Sequence, residues 1–297
     1  MKSTCISGYK SAVETQDIAS LLLSFFMEEI SQEILTRKGP RKTADVSPIV
    51  KVLLEQGKLE TVNLTEWLVV DQVQLIQAVF PTLGLASHIS FLQERMKSLT
   101  KPTTMKMVKL VGESLKEIAT TSQELATWEE SLQTHSSDLI RSYAPYLIPL
   151  EKEDVSSYLR AFKPYAADPH FGVREIAWMA ARPQVAVYLA SAIEELSLWT
   201  QEEDEKVRRF TTEVCRPRGV WCKHIDALKE QPELAQAILH PLHADPAKYV
   251  QDSVGNWLND AAKTRPDFVM AITELWLQQT DNKATQRIVK KARRSIR

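Results

Sequence analysis

Glycine is scarce in this chain, with eight in 297 residues. Hairpin-rich and phosphate-loop folds lean on glycine for left-handed backbone and close approach, so its scarcity tilts the reading toward helix. Cysteine is scarcer still. Cys5, Cys215 and Cys222 form an odd, sparse set, which suits a reducing compartment and offers no zinc spacing. His240 and His243 stand three apart, but without a cysteine pair they read as packing or solvated residues. No metal or cofactor is therefore expected. Long apolar runs are also missing: LLLSFFMEEI, from Leu21, is too short and too charged at its end to span a bilayer. The start, MKSTCISGYK, lacks the apolar stretch of a signal peptide, so the sequence reads as cytoplasmic and free of membrane. Charge of one sign is not in excess. A formal net charge of −1 argues against a general polyanion binder and leaves room for a local basic groove.

What is present is helical periodicity. Hydrophobic residues make up 44% of the chain, enough for a substantial core. From Leu64 to Leu83, Leu64, Trp67, Leu68, Leu75, Ala78 and Val79 fall at three- and four-residue spacing, and Pro81 ends the pattern. A second helix is expected over Met105–Ile118. LTKPTT, from Leu99, and PYLIPLEKED, from Pro145 to Asp154, read as linkers. We expect one α-helical domain over 1–297, with an N-terminal helical half at 1–150 and repeats over 151–297.

The repeat is visible by eye. VREIAWMAARP, from Val173, and VRRFTTEVCRP, from Val207, align without a gap at a period of 34 residues. A looser copy starts at Tyr249 and ends in Arg265 and Pro266, and a fourth lies near Ile288. Asp168-Pro169 and Asp245-Pro246 precede two copies, where Asp is expected to cap a helix and Pro to fill its first turn. Units of this length with such signals indicate an all-α solenoid of HEAT-like helix pairs, each burying its apolar face on the next and lining one concave surface. In that register Glu213 and Arg216 share a face, as do Trp257 and Asp260, and Trp178 and Arg182. Each Trp is either core packing or part of a polar site face. The C-terminal run QRIVKKARRSIR holds Lys290, Arg293 and Arg294 without an acid, and is either a phosphate contact or a solvated helix end.

Two strings name a family. VRRFTTEVCRPRGVWCKHI carries Arg-Pro-Arg followed by Trp221, and HADPAKYVQDSVGNWLNDAAKTRPDFV carries Ser-Val-x-Asn-x-Leu-Asn-Asp ending at Asp260. Both resemble the C-terminal region of the AlkC/AlkD DNA alkylation repair glycosylases, with the AlkC-like branch nearest. The stretch from Phe171, FGVRE, resembles the preceding motif. The resemblance implies a monomeric, monofunctional DNA glycosylase without a cofactor. It would hold double-stranded DNA containing alkylated bases on a concave face and excise cationic N-alkylated purines, chiefly 3-methyladenine and in some members 7-methylguanine.

The residues suit that chemistry. Alkylation at N3 or N7 leaves the purine cationic and its glycosidic bond weakened. The enzyme must then stabilise an oxocarbenium-like sugar and place a water, which a carboxylate does electrostatically. By the resemblance Asp260 is the catalytic acid, Trp221 stacks on the cationic base or sugar, and Glu213 supports the water or orients an arginine. Arg174, Arg209, Arg216 and Arg218 would grip phosphates, with Lys290, Arg293 and Arg294 in support, and Trp257 would complete an aromatic wall with Trp178 as a further candidate. One position departs from the family pattern: His170 stands where the AlkC-like branch has an acid, with Asp168 and Glu175 as nearby substitutes. The competing reading is a non-catalytic HEAT-repeat scaffold that binds DNA or protein. A hydrolase with a Ser or Cys nucleophile finds no GxSxG elbow and no partnered cysteine.

Overall fold

The computed structural model describes residues 30–151 and 154–296. Cys5, the segment from Leu21 up to Glu29, and Lys152 and Glu153 of the second expected linker lie outside the described residues. The chain separates into two compact units, Met1–Gly39 and Pro40–Arg297. In the first, the described part holds one short helix, Gln32–Leu35 (α1), whose N-cap Ser31 accepts from the Ile34 amide.

The second unit is built of helices joined by short turns, with no strand among the described residues. They run Pro48–Glu55 (α2), Leu64–Val69 (α3), Gln72–Val79 (α4), Ile89–Lys97 (α5), Thr104–Ser122 (α6), Leu125–Gln133 (α7), Asp138–Arg141 (α8), Val155–Ala161 (α9) and Lys163–Ala166 (α10). The repeat region follows with Phe171–Val187 (α11), Leu189–Leu198 (α12), Glu205–Val214 (α13), Asp226–Glu230 (α14), Gln236–Leu239 (α15), Lys248–Ala261 (α16), Pro266–Gln279 (α17) and Lys283–Ala292 (α18). None of the described helices is long and apolar enough to cross a membrane.

The expected helix from Leu64 to Leu83 is broken. Val70 is extended, and Asp71 starts a new helix by accepting from the Val73 and Gln74 amides. Because the face is split, Trp67, Leu75 and Val79 are buried while Leu64 and Leu68 are exposed. The linker before Met105 is present, and Thr103 caps α6 through the Lys106 amide. Asp168 and Asp245 do not cap helices. Each lies two residues ahead of an N-cap position, and its carboxylate accepts from the amide of that residue, His170 at 2.7 Å or Ala247 at 2.8 Å. These are Asx turns that lead the chain into the helix.

Helices α8, α11, α13, α16 and α18 pack one upon the next, while α9, α12 and α15 form a second row in the same order. A side chain in the first turn of each helix in the first row fixes its entry. Arg141, Arg174, Arg208 and Gln251 each donate to two main-chain carbonyls just upstream: His135 and Ser136, Asp168 and Pro169, Glu202 and Glu203, Asp245 and Pro246. Gln286 does the same to the Asp281 carbonyl. Arg141 and Arg208 also grip the carboxylate of the next unit, Asp168 and Asp245. The register therefore begins at Arg141. Glycine allows two helices of the first row to approach a neighbour closely. A Cβ on Gly172 would lie 2.9 Å from Trp67 Nε1, and one on Gly255 would lie 2.9 Å from Lys291 Cβ.

Candidate active site between successive repeats

Two helix faces meet to form the site. On α13, Arg209, Thr212, Glu213 and Arg216, just past its end, follow helical spacing. On α16, Tyr249, Ser253, Trp257 and Asp260 do the same. They interlock in order. The Arg209 guanidinium lies 4.3 Å from the Tyr249 ring centroid. Ser253 Oγ donates to Glu213 Oε1 at 2.7 Å and contacts Thr212 Oγ1 at 2.6 Å. The Trp257 indole N–H donates to the Cys215 carbonyl at 3.0 Å. Arg216 places Nε and Nη2 on Asp260 Oδ2 at 2.9 and 2.7 Å, and its Nη1 on Glu213 Oε2 at 3.3 Å. Asp260, Glu213 and Arg216, singled out in the sequence, are thus joined in one buried network.

The electrostatics follow from that burial. Asp260 is 4% exposed and Glu213 is 3% exposed. Burial works to raise the Glu213 pKa, but Arg209 and Arg216 outweigh it and hold the group below the usual carboxylate range. The two oxygens of Asp260 differ. Oδ2 takes both Arg216 donors, while Oδ1 faces Lys263 Nζ at 3.3 Å. Arg209 also bonds Glu175 at 2.7 Å, and the Trp178 indole holds the other Glu175 oxygen at 2.9 Å.

A loop from Cys215 to Ile225 follows α13 and carries Trp221. Buried Arg182 supports it, donating to the carbonyls of Val214, Arg216 and Lys223, and so serves the free end of α13. Gly219 lies against that guanidinium, where a Cβ would sit 3.0 Å from Arg182 Cζ. Trp221 is held in the left-handed region, at φ 59°, and is 61% exposed. Its ring borders a cavity of about 650 Å³ whose walls include Met105, Lys109, Tyr146, Arg182 and Val187 and neither Asp260 nor Glu213. Trp221 and the carboxylates are linked through the loop. Arg218, three residues before Trp221, donates Nε to the Asp260 carbonyl at 3.2 Å. Cys215 is no nucleophile, because burial pushes its thiol up to about 12.

Several expected roles are corrected. Trp257 is fully buried with its indole spent on a carbonyl, so it cannot form a wall against a ligand. Trp178 is buried and positions Glu175. Arg174 is a helix-entry clamp, spending Nη1 on two carbonyls and Nε on the Tyr249 hydroxyl. Arg209 and Arg216, at 13% and 11% side-chain exposure, hold carboxylates in place of phosphates. His170 is the N-cap of α11, accepting from the Gly172 amide at Nδ1 and lying 2.6 Å from the Thr61 carbonyl at Nε2. Asp204 and Asn282 do the same for α13 and α18, which explains why an acid also suits the position. In the tail, Arg293 bonds Thr273, and Arg294 bonds Asn259 and Asn256. Lys290 is exposed and makes no ion pair among the described residues. Tyr249 and Ser253 were given no site role from the sequence, and Arg182 was placed on a face with Trp178 but assigned no role. The first two sit eleven and seven residues before Asp260 on its own helical face, a spacing that contained the signal. Among the described residues no cluster of His, Cys, Asp and Glu is set to hold a metal. His240 and His243 instead stack at 5.3 Å, and His240 accepts from Trp276.

No family model matches the chain. The uncharacterized protein YhaZ of Bacillus subtilis is 38% identical over 97 residues, which is 33% of this chain and 27% of YhaZ. Among solved structures, the alkylpurine DNA glycosylase AlkC of Pseudomonas fluorescens, bound to DNA containing an abasic site analog, is similar at a TM-score of 0.58 and 25% identity. The match covers 75% of this chain and 60% of that one, so the chain spans less than two thirds of the length of both YhaZ and this AlkC. AlkD2 from Streptococcus mutans shares the fold, with a TM-score of 0.51 and 21% identity over 70% of this chain and 98% of that one.

Proposed function

We propose that this chain, which belongs to the AlkC/AlkD superfamily of helical-repeat proteins, is a DNA glycosylase that excises cationic N-alkylated purines, 3-methyladenine foremost. The observation that carries the reading is Asp260: a buried carboxylate with one oxygen fixed by two Arg216 donors and the other left to an exposed lysine. Such a group cannot reorient, and its charge acts in a low dielectric where charge developing on a sugar is stabilised strongly.

In the step proposed, the bond from C1′ to the purine nitrogen breaks and its electron pair neutralises the departing base. Asp260 Oδ1 faces the electron-poor sugar and orients the water that adds to C1′ and releases a proton. Glu213 acts through Arg216, fixing the guanidinium that fixes Asp260. Trp221 offers its exposed ring to the cationic base, a contact worth up to about 2 kcal/mol when desolvated. Arg218, Arg294 and Lys290 meet DNA phosphates, and Arg209 is assigned to the carboxylate network.

The test is release of free base from methylated duplex DNA, identified by chromatography. The wild-type chain releases 3-methyladenine, and Asp260→Asn lowers the single-turnover rate by about 10² to 10³ while far-UV circular dichroism is unchanged. Equal rates in the two proteins would remove Asp260 from the chemistry. Absence of any released base from the wild type would leave the scaffold reading in its place.

A further inference from the structure

The ion-paired set at the site is not poised for a cation as it stands. Glu175, Glu213 and Asp260 are matched by Arg209, Arg216 and Lys263, three acids against three bases. Arg182 and Arg218 add positive charge nearby, with their donors on main-chain carbonyls. A cationic nucleoside entering this site meets no net negative charge. One of the cations has to leave, and the structure distinguishes them. Arg209 and Arg216 are largely buried, with several contacts each. Lys263 is 46% exposed, lies just past the end of α16, and makes a single ion pair, to Asp260 Oδ1. It occupies the oxygen that the sugar would face.

Resting on the glycosylase reading above, we propose that Lys263 is a displaceable counter-ion, its ammonium standing in for the positive charge of the substrate. On binding, the cationic nucleoside takes its place beside Oδ1, and the lysine swings out toward the phosphates brought in with it. A neutral, undamaged nucleoside supplies no charge to Asp260 and does not displace the lysine. Lys263 thereby competes with a cationic nucleoside for Asp260 and holds down the preference of the site for a cation over a neutral nucleoside.

The proposal is tested by binding, which does not require turnover. Two duplexes are compared by fluorescence anisotropy, one with a cationic pyrrolidine abasic-site analogue and one with a neutral tetrahydrofuran analogue. With Lys263→Met the preference for the cationic duplex rises about fivefold, the effect of one unit charge at about 4 Å in a water-like dielectric. Lys263→Arg, which keeps the charge, restores the wild-type preference. An unchanged or reduced preference in Lys263→Met overturns the inference and leaves the glycosylase reading intact if the wild type still releases base. Borohydride trapping of a covalent adduct at Lys263 overturns it too, by making the residue a nucleophile. A wild type that neither releases base nor favours the cationic duplex removes the glycosylase reading and this inference with it.

Discussion

At Glu213 a single carboxylate answers to two guanidinium groups and one hydroxyl while 3% exposed. Replacing it with Gln leaves Arg209 and Arg216 short of one charge in a buried place, which costs about 3 kcal/mol. Its folded-state pKa lies below the ordinary 4.5, so its stabilisation is complete above pH 4.5 and is lost as pH falls through the folded value. The urea midpoint of Glu213→Gln should accordingly fall well below wild type at pH 7, with the gap closing below pH 4.5. A gap that stays constant to pH 3 would show that the carboxylate is not holding those arginines. Asp260, Glu213 and Arg216 were legible as a cluster because helical spacing and a repeat register suffice to put them on facing helices. Trp257 was not, because spacing reports which face a residue occupies and not whether a neighbouring turn covers that face. The carbonyl of Cys215 covers it here.

Between helices, the repeated string carries a structural meaning. The Arg aligned at 174 and 208 bonds carbonyls at the entry to its own helix, as Arg141 does upstream and Gln251 and Gln286 do downstream. Sequence similarity showed the repeat plainly at Arg174 and Arg208 and more loosely where Gln251 and Gln286 stand, and missed Arg141, since its short helix has little flanking similarity to offer. The HEAT-like architecture was legible because periodicity and repeat length are local properties. The break at Asp71 was not, because one capping carboxylate outweighs a continuous apolar pattern. Arg208 combines the clamp with a paired contact to Asp245, whereas Gln251 makes only neutral hydrogen bonds. Arg208→Met should therefore lower unfolding free energy by about 3 kcal/mol, since it strands a buried carboxylate. Gln251→Met should lower it by about 1 kcal/mol. Chemical denaturation measures both, and equal losses would mean that the pairing to Asp245 adds nothing to the clamp.

For the molecule as a whole, a net charge of −1 provides no long-range pull on DNA, so on the proposed reading affinity would have to come from a few local cations. The sequence suggested a larger set than the structure leaves free. Arg209 and Arg216 are committed to carboxylates, Arg174 to its helix entry, and Arg293 lies beside Glu274. Arg218 and Arg294 bond neutral acceptors, and Lys290 is exposed without an ion pair among the described residues, so these three keep their charge for phosphates. Three phosphate contacts give a slope of about −3 for log affinity against log salt, and Lys290→Ala should make it shallower by about 1. Lys290 lies on α18, away from the carboxylate network, so the same substitution should leave the single-turnover rate at saturating protein near wild type. A slope of about −4.5, measured by titrating undamaged duplex at several salt concentrations, would mean that the buried pairs open and hand Arg209 and Arg216 to the backbone. The network around Asp260 would then form only after the DNA is released, and a rigid carboxylate could not be the source of catalysis.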